Sequence, residues 1–270
     1  MPPPGRQRLA PEVFDLPVEK MRAGWYTDAY FNHARATLLA DGRQPNVVVQ
    51  VFQKNHAWLG GMDEAIAILR VCSHEPDALT IRALHDGDRI APWETVLTIE
   101  GDYTTFAHLE TVYLGALARR TLITTNVVRV LEAANGKPII FMPARFDHQR
   151  VQAGDGYAAY VAGQVTGFEI GVTSDEQASW WGGRGIGTVP HALIASYGGT
   201  PSSRRGSSPS GLPRTCRSPC WWTSRTSRCG RRSRWPRRSA TGSGASGSTP
   251  PRLSSTARCG RRWASSGRPA

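Results

Sequence analysis

A short apolar run leads directly into a group of charged residues in the segment Lys137-Pro-Ile-Ile-Phe-Met-Pro-Ala-Arg-Phe-Asp-His-Gln-Arg150. Its first half is a short apolar run that predicts a strand. Its second half gathers Arg145, His148 and Arg150 directly after that strand, with Asp147 between them to hold one of the cations. Polar residues that follow strand ends favour an α/β barrel, whose site lies at the carboxyl face of the strands. An open α/β sheet is the alternative architecture.

The elements around this stretch alternate between strand and helix, as in an α/β fold. Strands are predicted where β-branched or apolar residues lie between turn residues, and Val47-Val-Val-Gln-Val-Phe52 predicts a buried one. Helices are predicted where apolar residues recur every three or four positions, and Asp28 is expected to cap the first. The predicted strands cover 46–53, 78–84, 95–100, 138–143 and 168–172, and the predicted helices lie near 28–42, 61–69, 106–136, 157–162 and after 188.

Composition divides the chain into three regions: an N-terminal α/β domain over 1–136, the first part of a barrel over 137–199, and a basic tail over 200–270. The tail has two leucines and no Asp, Glu, Lys, His, Asn, Gln, Val, Ile, Phe, Tyr or Met. It holds 16 of the 33 Lys and Arg and none of the 21 Asp and Glu, so the formal charge of +12 divides into −4 before the tail and +16 within it.

Three interpretations of the tail compete. A disordered basic arm would bind nucleic acid through its arginines, but four Trp and four Cys are costly in a segment without a core. A zinc module lacks paired C-x2-C spacing and any His within the tail. The third interpretation is a GC-rich gene translated out of frame, because stepping back one nucleotide across Cys220-Trp-Trp-Thr223 gives Leu-Val-Asp for any codon choice. We favour the frameshift, and therefore expect no nucleic-acid partner.

The first 199 residues have the composition of an ordinary globular protein. Their apolar runs are too short to cross a bilayer, and the N-terminus Met1-Pro-Pro-Pro-Gly-Arg6 lacks the apolar region of a secretory signal. Cys72 is the one cysteine before the tail, so disulfides are not expected. These features indicate a cytoplasmic protein with no membrane partner.

The densest special segment is Gly182-Gly-Arg-Gly-Ile-Gly-Thr-Val-Pro-His191. Its glycines permit a tight turn whose backbone N–H groups could bind an anion at a helix start, or the turn is purely structural. The G-x-G-x-G spacing, preceded by Ser179-Trp-Trp, does not match a dinucleotide-binding fingerprint. His191 is then either a structural side chain or a base or nucleophile that works near neutral pH.

The chain contains seven short sequence words in this order: Tyr26-Thr-Asp-Ala-Tyr-Phe, Ile99-Glu-Gly, Leu109-Glu-Thr-Val-Tyr-Leu-Gly, Thr124-Thr-Asn, Ala144-Arg-Phe-Asp-His-Gln-Arg, Gly154-Asp-Gly-Tyr-Ala-Ala and Gly187-Thr-Val-Pro-His. Taken together, these words resemble those of nicotinate phosphoribosyltransferases, over nearly all of residues 10 to 199. The resemblance implies a type II phosphoribosyltransferase fold, in which an N-terminal α/β domain precedes an irregular α/β barrel. It also implies a homodimer whose active sites take residues from both subunits.

The implied reaction joins nicotinate to phosphoribosyl pyrophosphate, giving nicotinate mononucleotide and pyrophosphate in NAD salvage, with Mg2+ and coupled ATP hydrolysis. By resemblance, Tyr26 stacks on the pyridine ring, Arg150 pairs with the carboxylate or a phosphate, and Arg145 and His148 line the same face. Thr173 and Ser174 contact substrate. His191 is phosphorylated by ATP, and phosphate is expected to bind at Gly185, Gly187 and Thr188. No residue is assigned as a metal ligand.

Two departures from the family pattern matter. The chain reads Gly171-Val-Thr-Ser-Asp where the family has Gly-Thr-Ser-Asn, and the later barrel strands would lie beyond Gly199. A barrel stopped midway exposes sheet edges, so we expect this 270-residue chain to fold poorly and to be inactive. The alternatives are a phosphoribosyltransferase for quinolinate or nicotinamide, and a non-enzymatic nucleic-acid-binding protein that uses the tail.

Overall fold

Three antiparallel strands form the largest sheet of the structure, a computed structural model that describes residues 7–187 together with Pro190 and Ala192. The strand order is β1–β5–β3, so β5 lies between the two strands that flank it. Its register pairs Val49 of β1 and Ile81 of β3 with Ile99 of β5. The strands are β1 Asn46–Phe52, β2 Ala57–Trp58, β3 Thr80–Ala83, β4 Arg89–Ile90, β5 Thr95–Asp102, β6 Ile139–Phe141 and β7 Ile170–Val172.

Helices cover one face of this sheet. The main core contains buried side chains of β5, of α3 and of the first turns of α5, among them Leu97, Leu69 and Tyr113. Burial of such side chains is the main stabilising contribution to the fold. The helices are α1 Val18–Arg22, α2 Ala29–Ala40, α3 Met62–Cys72, α4 Tyr103–Phe106, α5 Glu110–Ala134, α6 Gln152–Thr166 and α7 Asp175–Ala178.

Two local expectations are corrected. Strand β1 is not buried: exposed and half-buried residues alternate along it, and Val48 is 64% exposed. The reason is that β1 is an edge strand with one face on the core, which an unbroken apolar run does not reveal. Asp28 holds the N-cap position of α2, but its side chain does not bond to that helix. It accepts instead from the Thr111 hydroxyl of α5 at 3.2 Å.

The ends of α3 and α5 show how local sequence sets the helices. Gly61 precedes α3 with φ of 82°, and the Asp86 carboxylate accepts from the N–H groups of Met62 at 2.7 Å and Asp63 at 3.3 Å. This side chain therefore satisfies donors that a helix start leaves open. Helix α5 ends at Asn135 in the left-handed conformation, as predicted, with φ of 48°.

The second part of the structure is a parallel strand pair joined by a helix. Strands β6 and β7 pair in parallel, and α6 forms the crossover between them. Apolar residues of α6, including Ala159 and Ala162, pack on Val128 and Leu131 of α5. The strand-helix-strand unit is the repeating element of α/β barrels. Among the described residues, no helix is long and apolar enough to cross a membrane.

Candidate functional site at the carboxyl ends of β6 and β7

The parallel pairing of β6 and β7 brings three chain segments to one edge. Ile139 pairs with Ile170 and Phe141 with Val172, so both strands end side by side. The loop that carries Arg145, His148 and Arg150 follows β6, and Thr173 and Ser174 follow β7. The glycine-rich loop returns to the same edge, where the Ile186 N–H donates to the Val172 carbonyl at 2.7 Å. Ligands of parallel α/β folds bind at such carboxyl ends.

The segment after β6 is held by short-range backbone bonds. The Pro143 carbonyl accepts from the N–H groups of Phe146 at 2.7 Å and Asp147 at 3.1 Å. His148 caps the next turn, because its Nδ1 accepts from the Arg150 N–H at 3.3 Å. Residues 145–150 are all exposed. The segment therefore presents two guanidinium groups and one imidazole to solvent from a defined backbone.

Asp147 has a different partner from the one expected. It does not hold a cation of its own segment: its carboxylate lies 3.4 Å from Nη2 of Arg119 on α5. Within the described part of the chain, neither Arg145 nor Arg150 forms an ion pair. Asp147 meets Arg119 because α5 packs against the start of α6. The sequence of the segment does not encode this long-range contact.

Arg119 belongs to a network of charged side chains between α3, α5 and α6. Its guanidinium donates twice to the carboxylate of Asp155, at 2.9 and 2.7 Å, and Arg120 donates to the same carboxylate. Arg120 also donates to Glu64 at 3.1 Å. The hydrogen bonds that Arg119 donates to Asp155 are the main reason that the pKa of Arg119 lies above its usual range. Asp155 is buried, and its carboxylate is paired with both Arg119 and Arg120, as a buried carboxylate requires.

Thr173 and Ser174 lie at the predicted edge, but both side chains contribute to the local structure. The Thr173 and Ser174 N–H groups donate to Gln177 Oε1 at 2.9 and 3.1 Å, and the Gln177 N–H donates to Ser174 Oγ at 3.2 Å. This is a capping box at the start of α7. Ser174 Oγ also donates to Gln152 at 2.8 Å, which joins the segment after β7 to α6.

Two backbone N–H groups of the glycine-rich loop already donate hydrogen bonds to other groups of the protein. The Gly185 N–H donates to the Asp175 carboxylate at 2.8 Å, and the Gly183 N–H donates to the Ala178 carbonyl at 3.1 Å. Around Gly187 there is open space. The Gly185 N–H, to which a phosphate is predicted to bind, therefore already donates to a carboxylate. Thr188 and His191 lie outside the described residues.

Tyr26 lies in the turn before α2. Its side chain is 43% exposed, and the nearby Trp25 and Tyr30 are 74% and 62% exposed. Among the described residues, no hydrogen bond, ion pair or ring contact joins Tyr26 to the segments after β6 and β7. The structure therefore brings together Arg145, His148, Arg150, Thr173, Ser174 and the glycine-rich loop at one edge, and leaves Tyr26 outside that group.

Sequence reasoning missed Arg119, Arg120 and Asp155. The signals were present: Asp155 stands between two glycines in a helix, and Arg119-Arg120 interrupts a largely apolar stretch of α5. The two glycines have steric roles. A Cβ at Gly154 would overlap the Arg120 guanidinium, and one at Gly156 would overlap the Gln177 backbone. The word Gly154-Asp-Gly156 therefore builds the support beneath the site.

Comparison with known proteins places this architecture. Residues 28–121 match the model of the quinolinate phosphoribosyl transferase N-terminal domain. The structure resembles nicotinate-nucleotide pyrophosphorylase from Pyrococcus furiosus, with a TM-score of 0.58 and 29% identity over 67% of this chain and 45% of that one. It also resembles human nicotinic acid phosphoribosyltransferase, with a TM-score of 0.54 and 18% identity over 63% and 40% of the two chains. The fold is that of the type II phosphoribosyltransferases.

A sequence relative is similar over a shorter length. Nicotinate phosphoribosyltransferase pncB1 of Mycobacterium tuberculosis (strain H37Rv) is 30% identical over 117 residues, which are 42% of this chain. The chain spans about a quarter of that relative and less than half of either solved structure. The match to the quinolinate phosphoribosyl transferase domain ends at Thr121. The segments after β6 and β7, which form the candidate site, therefore lie outside the matched domain.

The described residues contain no preformed cluster of protein metal ligands. Among them, no group of three or more His, Cys, Asp or Glu side chains could hold a metal ion. Of the carboxylates at the edge, Asp147 pairs with Arg119 and Asp175 accepts from Gly185. Because Mg2+ usually binds through one or two carboxylates together with substrate phosphates, its binding here stays a prediction, and no chemical step is assigned to the metal.

Proposed function

We propose that residues 1–199 belong to a nicotinate phosphoribosyltransferase, which joins nicotinate to phosphoribosyl pyrophosphate in NAD salvage. A bond forms between the pyridine nitrogen and the ribose anomeric carbon, and the bond from that carbon to pyrophosphate breaks. The products are nicotinate mononucleotide and pyrophosphate. In this proposal ATP hydrolysis, through phosphorylation of His191, makes nucleotide formation more favourable.

One observation carries the proposal. Arg145, His148 and Arg150 are exposed at the carboxyl end of a parallel strand pair, and the carboxylate between them is held by Arg119. Both substrates are anions at neutral pH. Guanidinium groups bind carboxylates and phosphates through paired hydrogen bonds. Two guanidinium groups that form no ion pair with the described residues therefore suit substrates of this charge.

The proposed roles follow from position. Arg150 binds the nicotinate carboxylate or a phosphate, and Arg145 and His148 line the same face. Tyr26 stacks on the pyridine ring, and because no contact among the described residues joins it to this loop, we propose that it acts on the partner's site in a homodimer. Gly185, Gly187 and Thr188 would contact phosphate, but Asp175 must first leave the Gly185 amide.

For Thr173 and Ser174 the structure narrows the proposal. Their hydrogen bonds to Gln177 shape the segment after β7, so a substrate would meet their remaining hydrogen-bonding capacity and the start of α7. We propose that both residues act mainly by fixing this segment, with direct substrate contacts in a secondary role.

Quinolinate is the second candidate substrate, favoured by the domain match over residues 28–121 and consistent with the same cationic loop. The base decides the outcome in a turnover assay. Nicotinate or nicotinamide would yield a nucleotide and pyrophosphate, whereas quinolinate must also release CO2. We expect product from nicotinate without CO2 release. Nucleotide from quinolinate with an equal amount of CO2, and none from nicotinate, would assign the second candidate instead.

The assay needs a known reading frame, because the predicted frameshift near residue 200 would remove the later strands. Nucleotide sequencing across codons 195–205 establishes the frame. We expect turnover in the protein whose frame continues through Leu-Val-Asp, and none in the 270-residue chain. Turnover by the 270-residue chain would contradict its predicted inactivity and leave the proposed reaction intact.

A further inference from the structure

Asp147 is the one carboxylate within the segment 145–150, and it stands two residues from Arg145 and three from Arg150. A flexible carboxylate this close in sequence can reach a neighbouring guanidinium and form an ion pair. Such a pair would compete with any anionic ligand for the same cation. In the structure, the Asp147 carboxylate instead lies 3.4 Å from Arg119.

Arg119 is well placed to hold Asp147. Two hydrogen bonds to Asp155 fix its guanidinium plane, and Asp155 is itself buried between Arg119 and Arg120. Nη2 of Arg119 lies 2.7 Å from Asp155 and 3.4 Å from Asp147, and so joins the two carboxylates. The side chains of Arg119 and Asp147 are 42% and 41% exposed, so the contact lies at the surface, where the segment is accessible.

We propose that Arg119 is a positioning residue for the candidate site: by holding Asp147, it leaves Arg145 and Arg150 available to an anionic group of the substrate. The inference rests on the proposed function for the identity of that group. It assigns Arg119 no contact with substrate. Its effect is to remove an internal competitor from the binding loop.

The competition makes a specific prediction for paired substitutions. Arg119→Gln releases Asp147, which then pairs with Arg145 or Arg150 and weakens anion binding. Asp147→Asn removes the competitor, so the double variant R119Q/D147N regains the binding that R119Q loses. A purely structural role of Arg119 predicts no such rescue, because Asp155 still lacks one of its two cations in the double variant.

A labelling experiment tests the contact without any ligand. Phenylglyoxal reacts with free guanidinium groups, and mass spectrometry of the labelled protein with a continuous frame gives the rate at each arginine. We expect Arg145 and Arg150 together to react about two to three times more slowly in R119Q, and at the wild-type rate in R119Q/D147N, since exposed ion pairs are weak. Asp147→Asn alone, a surface change, should keep the wild-type rate. Unchanged labelling in R119Q would overturn the inference.

Nicotinate binding, measured by calorimetry, tests the consequence, with nicotinamide as the uncharged control. R119Q should bind nicotinate about threefold to fivefold more weakly than the wild type, R119Q/D147N should regain affinity, and nicotinamide should be unaffected. Labelling rates that follow the prediction in a protein that binds no nicotinate would support the role of Arg119 and contradict the proposed function. A double variant that stays as weak as R119Q would contradict the role of Arg119.

Discussion

The guanidinium group of Arg120 lies against the bare Cα of Gly154, so closely that a methyl group there would overlap it. This contact allows α6 to approach α5 while Arg120 reaches Asp155. Arg120 also stacks over Trp180, with its Cζ 5.8 Å from the ring centroid. The charged network beside the candidate site thus depends on a residue without a side chain at position 154.

Gly154→Ala should therefore destabilise the protein. We expect the free energy of unfolding to fall by about 2–4 kcal/mol, because the Cβ must displace a buried, paired guanidinium. Gly115→Ala is the matched control: Gly115 also lies in a helix but has open space around it, and Ala should add about 0.5–1 kcal/mol there. Urea unfolding measures both. Equal effects of the two substitutions would contradict the packing described.

Removal of the buried carboxylate should have a large effect. Asp155→Asn leaves Arg119 and Arg120 without their shared anion, and we expect a loss of about 3–5 kcal/mol in the free energy of unfolding. Glu132→Gln on the exposed face of α5 is the control, with an expected change within about 0.5 kcal/mol. A melting temperature of Asp155→Asn equal to that of the control would exclude a structural role for the network.

Buried His108 should make the protein sensitive to acid. Burial lowers the pKa of His108 to about 4 in the folded protein, from 6.5. The unfolded chain binds a proton between these values, so stability is complete above pH 6.5 and falls toward pH 4. His108→Phe should cancel a fall of about 2–3 kcal/mol between pH 7 and 4. An unchanged pH profile of unfolding would contradict this assignment.

Asp86 should act in the opposite direction. Burial and the nearby Asp63 raise its pKa to about 7, so the folded state keeps a proton that the unfolded state releases near pH 3.8. Its contribution to stability is therefore complete at low pH and is lost as pH rises toward 7. Asp86→Asn keeps an acceptor for the start of α3 and should remove this loss. The test is the difference in unfolding free energy between pH 5 and 8, which we expect to be smaller in the variant.

The positions of helices and strands were predicted better than the burial of their residues. The end of α5 at Asn135 was correct because a left-handed residue followed by Gly is a local signal. The strands predicted over 78–84 and 95–100 are confirmed as β3 and β5, which are antiparallel neighbours. The burial of β1 was wrong, because exposure of one sheet face depends on what packs on it and not on the strand itself.

The candidate site could likewise be predicted only in part from the sequence. A polar segment at a strand end was predictable from Arg145, His148 and Arg150, because they follow an apolar run directly. The partner of Asp147 was not, since Arg119 lies 28 residues earlier and meets it only after α5 and α6 pack. Likewise, the capping role of Ser174 depends on Gln177 turning back toward it. The roles of Tyr26, Thr188 and His191 stay predictions.

His191 has its own test. In the protein with a continuous frame, His191→Ala should lose the dependence of turnover on ATP and retain the basal transfer reaction. The reason is that a phosphorylated imidazole would couple ATP hydrolysis to transfer without taking part in bond formation at the ribose. Rates measured with and without ATP decide this. Unchanged ATP stimulation in the variant would overturn the assignment.

The most direct test of the central claim is the KM for nicotinate in the protein with a continuous frame, compared between wild type and Arg150→Gln. We predict that the wild type forms nicotinate mononucleotide and pyrophosphate in equal amounts. We also predict that Arg150→Gln raises KM for nicotinate at least about tenfold, because a charge-assisted pair with the carboxylate is lost. An unchanged KM, or a wild type that forms no nucleotide from nicotinate, would contradict the account.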